Sequence, residues 1–156
     1  AYIMYHFFVR RRIHEIFRQL NRGNFEFVVA QFAPGAEHWF SGGHALSGRR
    51  LDRAAIEAWY RRLATVFPDI RFEVKKVTSS GPPWNTQVAV EWADWFATQD
   101  LSVNQGVFFI TLRWGRAVEF HVYCDTAALE QNLERLGARG VSEAVAPPIV
   151  SQPLPA

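Results

Sequence analysis

GVFFITLRWGRAVEFHVYCD, residues 106–125, decides the fold. Two segments of alternating or continuous apolar character flank the tight turn Trp114-Gly115-Arg116, the pattern of paired strands. TQVAVEWADWFAT (86–98) shares the period of two, so the three segments predict an antiparallel meander. IRFEVKKVTSS (70–80) supplies a fourth strand, with SGPPWN (80–85) and QDLSVNQ (99–105) as connections. Upstream of Pro68 the period is near four. Val9, Ile13, Ile16, Phe17 and Leu20 make one apolar stripe on a helix that stops at NRGN (21–24). A second short helix is predicted over 25–32, closed by Pro34 and Gly35, and a third over 53–67, with Ile56, Trp59, Tyr60 and Leu63 on one side. TAALEQNLERLG (126–137) is the fourth, with Asp125 as its N-cap.

The chain has 156 residues, 49% of them apolar and 15% aromatic, enough for one core and too few for two. Residues 1–140 form that domain, and 141–156, rich in proline, form an extended arm. Lys and Arg number 17 against 15 Asp and Glu, and the basic residues are scattered in short clusters, so nucleic acid is not an expected partner. AYIMYHFF (1–8) is apolar, but it is far short of the ~20 residues a span needs and runs into Arg10-Arg11-Arg12, so no membrane is expected either. The single cysteine, Cys124, permits no intrachain disulfide and fits a cytoplasmic setting.

Helices followed by a curved antiparallel sheet make an α+β plan, in which three N-terminal helices close one mouth of a rolled half-barrel around an apolar pocket. Three segments carry a specific resemblance: LNRGNFEFVVAQFAPGAEHWF (20–40), GGHALSGRRLDRAAIEAWYRRL (42–63) and NQGVFFITLRWGRAVEFHVYCDTAALEQNL (104–133). Together they resemble the SnoaL-like branch of the nuclear transport factor 2-like superfamily, cone-shaped α+β barrels that include polyketide cyclases, ketosteroid isomerases and limonene-epoxide hydrolases. The resemblance implies the fold, and function has to come from the site.

Tested residue by residue, the resemblance does not carry one reaction over. A ketosteroid isomerase would have a carboxylate at His38, a tyrosine at Ile16 and a protonated carboxyl at Ile110, and neither isoleucine stabilises an enolate. An epoxide hydrolase would have tyrosine at His38, asparagine at Phe40, arginine at Trp92 and aspartates at Asp94 and Val122. Only Asp94 matches. A SnoaL-type cyclase would place its aspartate at Val122. A slip of one residue in the last strand would instead turn Glu119, His121 and Tyr123 inward.

Asp94 and His38 remain. Alternation puts Asp94 on one face with Val90 and Trp92, where a carboxyl must pair, raise its pKa or destabilise the fold. One reading joins it to His38 as an acid/base dyad, with His38 the base and Phe40, Trp92, Tyr60, Ile16, Ile110 and Val122 as ligand-contacting walls. The other leaves His38 on a backbone carbonyl and Asp94 at a barrel rim. His44, in the glycine-rich turn 41–48, either covers the pocket mouth or is solvated, and its spacing from His38 fits no zinc motif, so neither metal nor cofactor is expected. The expected partner is a small hydrophobic molecule, acted on by isomerisation, cyclisation, dehydration or epoxide opening, or bound without chemistry. The outward strip Glu119, His121, Tyr123 suits a homodimer interface.

Overall fold

The computed structural model describes residues 1–151. Four α-helices and six strands follow in the order α1 (Ile3–Asn21), α2 (Phe25–Val29), β1 (Phe32–Phe40), β2 (Gly48–Arg50), α3 (Arg53–Val66), β3 (Ile70–Ser80), β4 (Thr86–Phe96), β5 (Gln105–Arg113), β6 (Arg116–Cys124) and α4 (Thr126–Ala138). A 3₁₀ turn over Ser142–Val145 follows. The sheet order is β2-β1-β6-β5-β4-β3. All its pairs are antiparallel except β1 with β6, which run parallel. This is the expected α+β architecture, a curved sheet with α1, α2 and α3 over its inner face.

The helices form where the stripes predict. Val9, Ile13 and Phe17 of α1 are buried, and α1 packs along β3 while α2 bridges α1 and α3. Asp52 caps α3 by accepting from Ala55 N at 2.8 Å, and Asp125 caps α4 by accepting from Ala128 N at 3.1 Å. The 25–32 helix is corrected. It ends at Val29, and residues 32–40, with Pro34 and Gly35 inside them, are strand β1. Proline is tolerated there because pairing with β6 lapses between Phe32 and Glu37, and Gly35 takes φ +72°, open to a residue without a Cβ.

The register in β6 places Val122 inward and Tyr123 outward. A bulge opposite Thr111 and Leu112 lets Ala117, Phe120 and Val122 all reach the inner side. In β4 the inward set is Thr86, Val88, Val90, Trp92 and Asp94. The glycine-rich stretch after β1 crosses to α3 through the short strand β2, whose Arg50 lies opposite His38. Past α4 the chain folds back on its own domain. Arg62 donates to Pro147 O at 2.8 Å, Arg50 to Ile149 O at 2.6 Å, and Ser151 N to Arg49 O at 3.3 Å. Residues 152–156 of the arm lie outside the described residues.

Candidate functional site

The main apolar cavity, about 320 Å³, lies between α1, α3 and the inner face of the sheet. Ile13, Ile16 and Phe17 of α1 face Tyr60 of α3, Ile110 of β5 and Phe120 of β6 across it. The exposed lining residues Phe8, Arg12 and Gly115 mark its opening. Its few polar groups are mostly engaged. Arg12 holds Gln31 Oε1 through Nε and Nη2 at 3.2 and 2.5 Å, and Trp59 Nε1 donates to Leu46 O at 2.8 Å. Burial raises the Tyr60 phenol well above its ordinary pKa, so it remains a neutral O–H.

His38 stands behind this wall. It is fully buried, stacks on Phe120 at 5.2 Å between ring centres, and lies 4.5 Å from Trp59 and 5.6 Å from Tyr60. Its Nδ1 accepts from Arg50 Nε at 3.1 Å. An arginine N–H always donates, so the neutral ring carries its proton on Nε2. That Nε2 has no hydrogen-bond partner among the described residues. Burial first, then the Arg50 charge, pushes the imidazole well below its usual pKa. Neutral, and with its lone pair taken, His38 is a hydrogen-bond donor here and not a base.

Asp94 adjoins a different and smaller cavity, about 50 Å³, lined also by Phe40, Trp92, Val122 and Cys124. Its Oδ1 accepts from Asn104 N at 2.7 Å, and Asn104 O accepts from Asp94 N at 2.9 Å. Burial raises the carboxyl to about 6, opposed by the Asn104 N–H. The expected His38–Asp94 pairing is therefore corrected: His38 is held by Arg50 and Asp94 by Asn104. The wall residues divide in the same way. Tyr60, Ile16 and Ile110 line the main cavity, while Phe40, Trp92 and Val122 line the one beside Asp94. Trp59, Leu63, Phe72 and Phe108 line both and separate them.

His44 neither covers the main cavity nor is solvated. It is 8% exposed, its Nε2 meets Ser41 O at 2.9 Å, and its Nδ1 accepts from Leu46 N at 3.2 Å, so it fixes its own loop. The Cys124 thiol is pushed up to about 12 by burial and the nearby Asp94 and Asp125, which makes it a poor nucleophile. No group of three or more His, Cys, Asp or Glu able to hold a metal is found among the described residues. Sequence reasoning missed Arg50, whose place in Arg49-Arg50 resembles a surface pair. A three-residue strand is too short for alternation to reveal that it is wholly buried.

The SnoaL-like domain family profile matches residues 13–120. No curated protein matches the chain in sequence. Among solved structures, a nuclear transport factor 2-like protein of unknown function from Burkholderia pseudomallei is 20% identical, with TM-score 0.67 over 79% of this chain and 95% of that one. TerC, co-crystallised with polyporic acid, is 19% identical, with TM-score 0.66 over 81% of this chain and 98% of its own. A putative polyketide cyclase from Xanthomonas campestris is 15% identical, with TM-score 0.54 over 76% and 91%. At these identities the likeness is one of fold. With the profile covering most of the chain, this protein belongs to the SnoaL-like family, and its fold is like that of the nuclear transport factor 2-like structures.

Proposed function

We propose that the protein binds a small hydrophobic, ring-containing molecule in the main cavity. The observation that carries this is a space of about 320 Å³ walled almost wholly by aliphatic and aromatic side chains, with the Tyr60 phenol inside and the Arg12–Gln31 pair at the opening. That size falls within the range of about 300–1,000 Å³ for ligand pockets. Aromatic walls favour flat apolar ligands through stacked and edge contacts, and a phenol suits one carbonyl or hydroxyl on them. The neutral dye N-phenyl-1-naphthylamine tests it by fluorescence. The wild type is expected to bind it, and Ile16→Trp, which fills the cavity, to weaken binding at least about tenfold. Equal binding by the two proteins would place the dye elsewhere and sink the reading.

One observation favours a second reading, an acid/base enzyme such as a cyclase, isomerase, dehydratase or epoxide hydrolase. The Asp94 carboxyl, raised to about 6, is poised for proton transfer near neutral pH, and only shared side chains separate it from the main cavity. Turnover of any hydrophobic epoxide or polyketone by the wild type, abolished in Asp94→Asn, would establish it.

We also propose a homodimer through the outward face of the sheet, in a cytoplasmic setting consistent with a lone thiol. On that face Trp39 packs against Tyr123 and His121 at 5.2 and 5.5 Å, beside Phe109, which is 52% exposed. Phe109→Glu is expected to raise the dimer dissociation constant at least about tenfold in analytical ultracentrifugation. A monomeric wild type would remove the proposal.

A further inference from the structure

The outward sheet face is not the largest collection of exposed aromatic side chains. At one end of the molecule the first turns of α1, the turn 81–85 between β3 and β4, and the Trp114-Gly115 turn between β5 and β6 come together. Tyr2 meets Trp84 edge-on at 6.4 Å, Trp84 lies 6.0 Å from Trp114, and Trp114 N donates to Pro83 O at 2.8 Å. His6 ties α1 to the β3–β4 turn through Ser79 Oγ at 2.7 Å and Gly81 O at 3.0 Å. The cluster is a fixed surface, because each of its three elements is bonded to another.

Its apolar groups face solvent. Trp114 is 72% exposed, Phe8 58%, Trp84 51% and Phe7 46%, with Ile3 and Met4 exposed on the same helix. A patch of this kind on a folded protein marks an interaction site. The charged residues closest to it along the chain are basic, and Glu119, opposite Thr111, is the first acid beyond the Trp114-Gly115 turn. Residues 1–14, 78–90 and 105–118 contain Arg10, Arg11, Arg12, Arg113 and Arg116 and no Asp or Glu. The nearest acid along α1, Glu15, is already paired with Arg18 at 2.7 Å.

Tryptophan and phenylalanine on the apolar side with arginines around them fit the headgroup boundary of an anionic bilayer, where amphipathic rings insert and basic side chains meet lipid phosphate. Among the described residues no helix is long and apolar enough to cross a membrane, and the contact proposed here is a peripheral one. The patch also borders the opening of the main cavity, which Phe8, Arg12 and Gly115 line. We propose that this end of the protein docks on an anionic phospholipid surface, presenting the cavity opening to the hydrocarbon boundary from which an apolar ligand would partition. Docking rests on the surface alone, and only the route of the ligand rests on the pocket reading. The expectation of no membrane partner from the sequence addressed spanning segments; a docking surface assembled from three separate elements has no linear signal.

Co-sedimentation of the whole chain with phosphatidylcholine vesicles, with and without phosphatidylglycerol, tests this. The wild type is expected to bind the anionic vesicles at least about tenfold more tightly than the neutral ones, and less tightly as salt rises. Trp84→Ala with Trp114→Ala is expected to weaken binding at least about tenfold, and Arg11→Gln about fivefold. Trp95→Ala, on the outward sheet face, should bind as the wild type does, and circular dichroism monitors folding of each variant. A wild type that ignores anionic vesicles overturns the proposal, as does retention of binding by the double variant. Conversion of dimer to monomer by the double variant would give the patch to a second copy. Tighter binding of an oligonucleotide through the same residues would give it to nucleic acid. Either result would also overturn the proposal, whereas dye binding by a protein that fails on vesicles would leave the pocket reading standing.

Discussion

Asp94→Asn is expected to narrow or reverse the stability cost of position 94 at neutral pH, and the size of the change should depend on pH in one direction. In the fold the Asp94 carboxyl is raised to about 6 from an ordinary 3.8, chiefly by burial. The unfolded chain therefore releases its proton first as pH rises. Between those two values the native state binds more protons than the unfolded one, so stability falls with rising pH. Two pKa units at about 1.36 kcal/mol each put the full penalty, reached above pH ~7, near 3 kcal/mol. Asparagine does not ionise, keeps an oxygen for Asn104 N, and carries an amide that the apolar cavity solvates poorly, which offsets about 1–2 kcal/mol of the gain. The pH-dependent part is cleaner. Urea unfolding of both proteins should show the difference between variant and wild type growing by about 2 kcal/mol from pH ~4.5 to pH ~7. His38 and His44, both held below the ordinary imidazole pKa, act in the opposite sense. They remove stability as pH falls below about 6.5, where the unfolded imidazoles take up protons, but this is common to both proteins and cancels. A difference that is flat with pH would mean that the carboxyl is ionised in the fold, and would end its candidacy as a proton donor.

The same cavity shows how far sequence reading reaches. β3 to β6, α3 and α4 were legible because alternation and the helical stripe report which face of an element is apolar, and Asp52 and Asp125 behave as helix caps of ordinary kind. Strand β1 was not legible. Its Pro34 and Gly35 spell a turn, and only the parallel neighbour β6, distant in sequence, leaves room for them. Alternation turns Asp94 inward and the family resemblance puts His38 at the pocket, yet inward residues of a cone can meet different cavities at different depths. Pairing them needed the position of Asn104 in the loop before β5 and of Arg50 in a three-residue strand, neither of which periodicity can fix. The exposed aromatics of Trp84 and Trp114 pose the same problem, since their proximity arises from two turns that the chain brings together only when the sheet forms.

Arg50 should matter to the fold as much as a large side chain of the cavity wall. Its guanidinium is wholly buried with no carboxylate in ion-pair reach among the described residues, and burial lowers it to about 10. What holds it is a ring of neutral acceptors: His38 Nδ1 at 3.1 Å, Ser47 O and Gly48 O at 3.0 Å each, and Ile149 O at 2.6 Å. Trp59 lies under the charge at 5.6 Å, which adds a cation–π contact. Arg50→Met conserves most of the volume and removes the cost of burying a charge, but it strands four acceptors at once, the buried His38 Nδ1 and Ser47 O and the part-buried Gly48 O and Ile149 O. Each bond to a charged donor contributes about 1.5–3 kcal/mol, and the relief from desolvation recovers part of their sum, so the expected net loss is about 3–5 kcal/mol. Arg50→Lys should recover little, because one compact ammonium cannot meet acceptors spread around a planar fork. The loss should also have a location. Arg50 ties β1, β2 and residues 147–151 together, so native-state hydrogen exchange at Ser151 N, which donates to Arg49 O at 3.3 Å, should quicken beyond what global destabilisation explains. With its Nδ1 lone pair released and the neighbouring charge gone, His38 should titrate at higher pH in the variant, read from its imidazole proton shifts. A variant that unfolds within about 0.5 kcal/mol of the wild type would show that water replaces the guanidinium without loss, and that Arg50 does not hold His38 in the tautomer assigned to it.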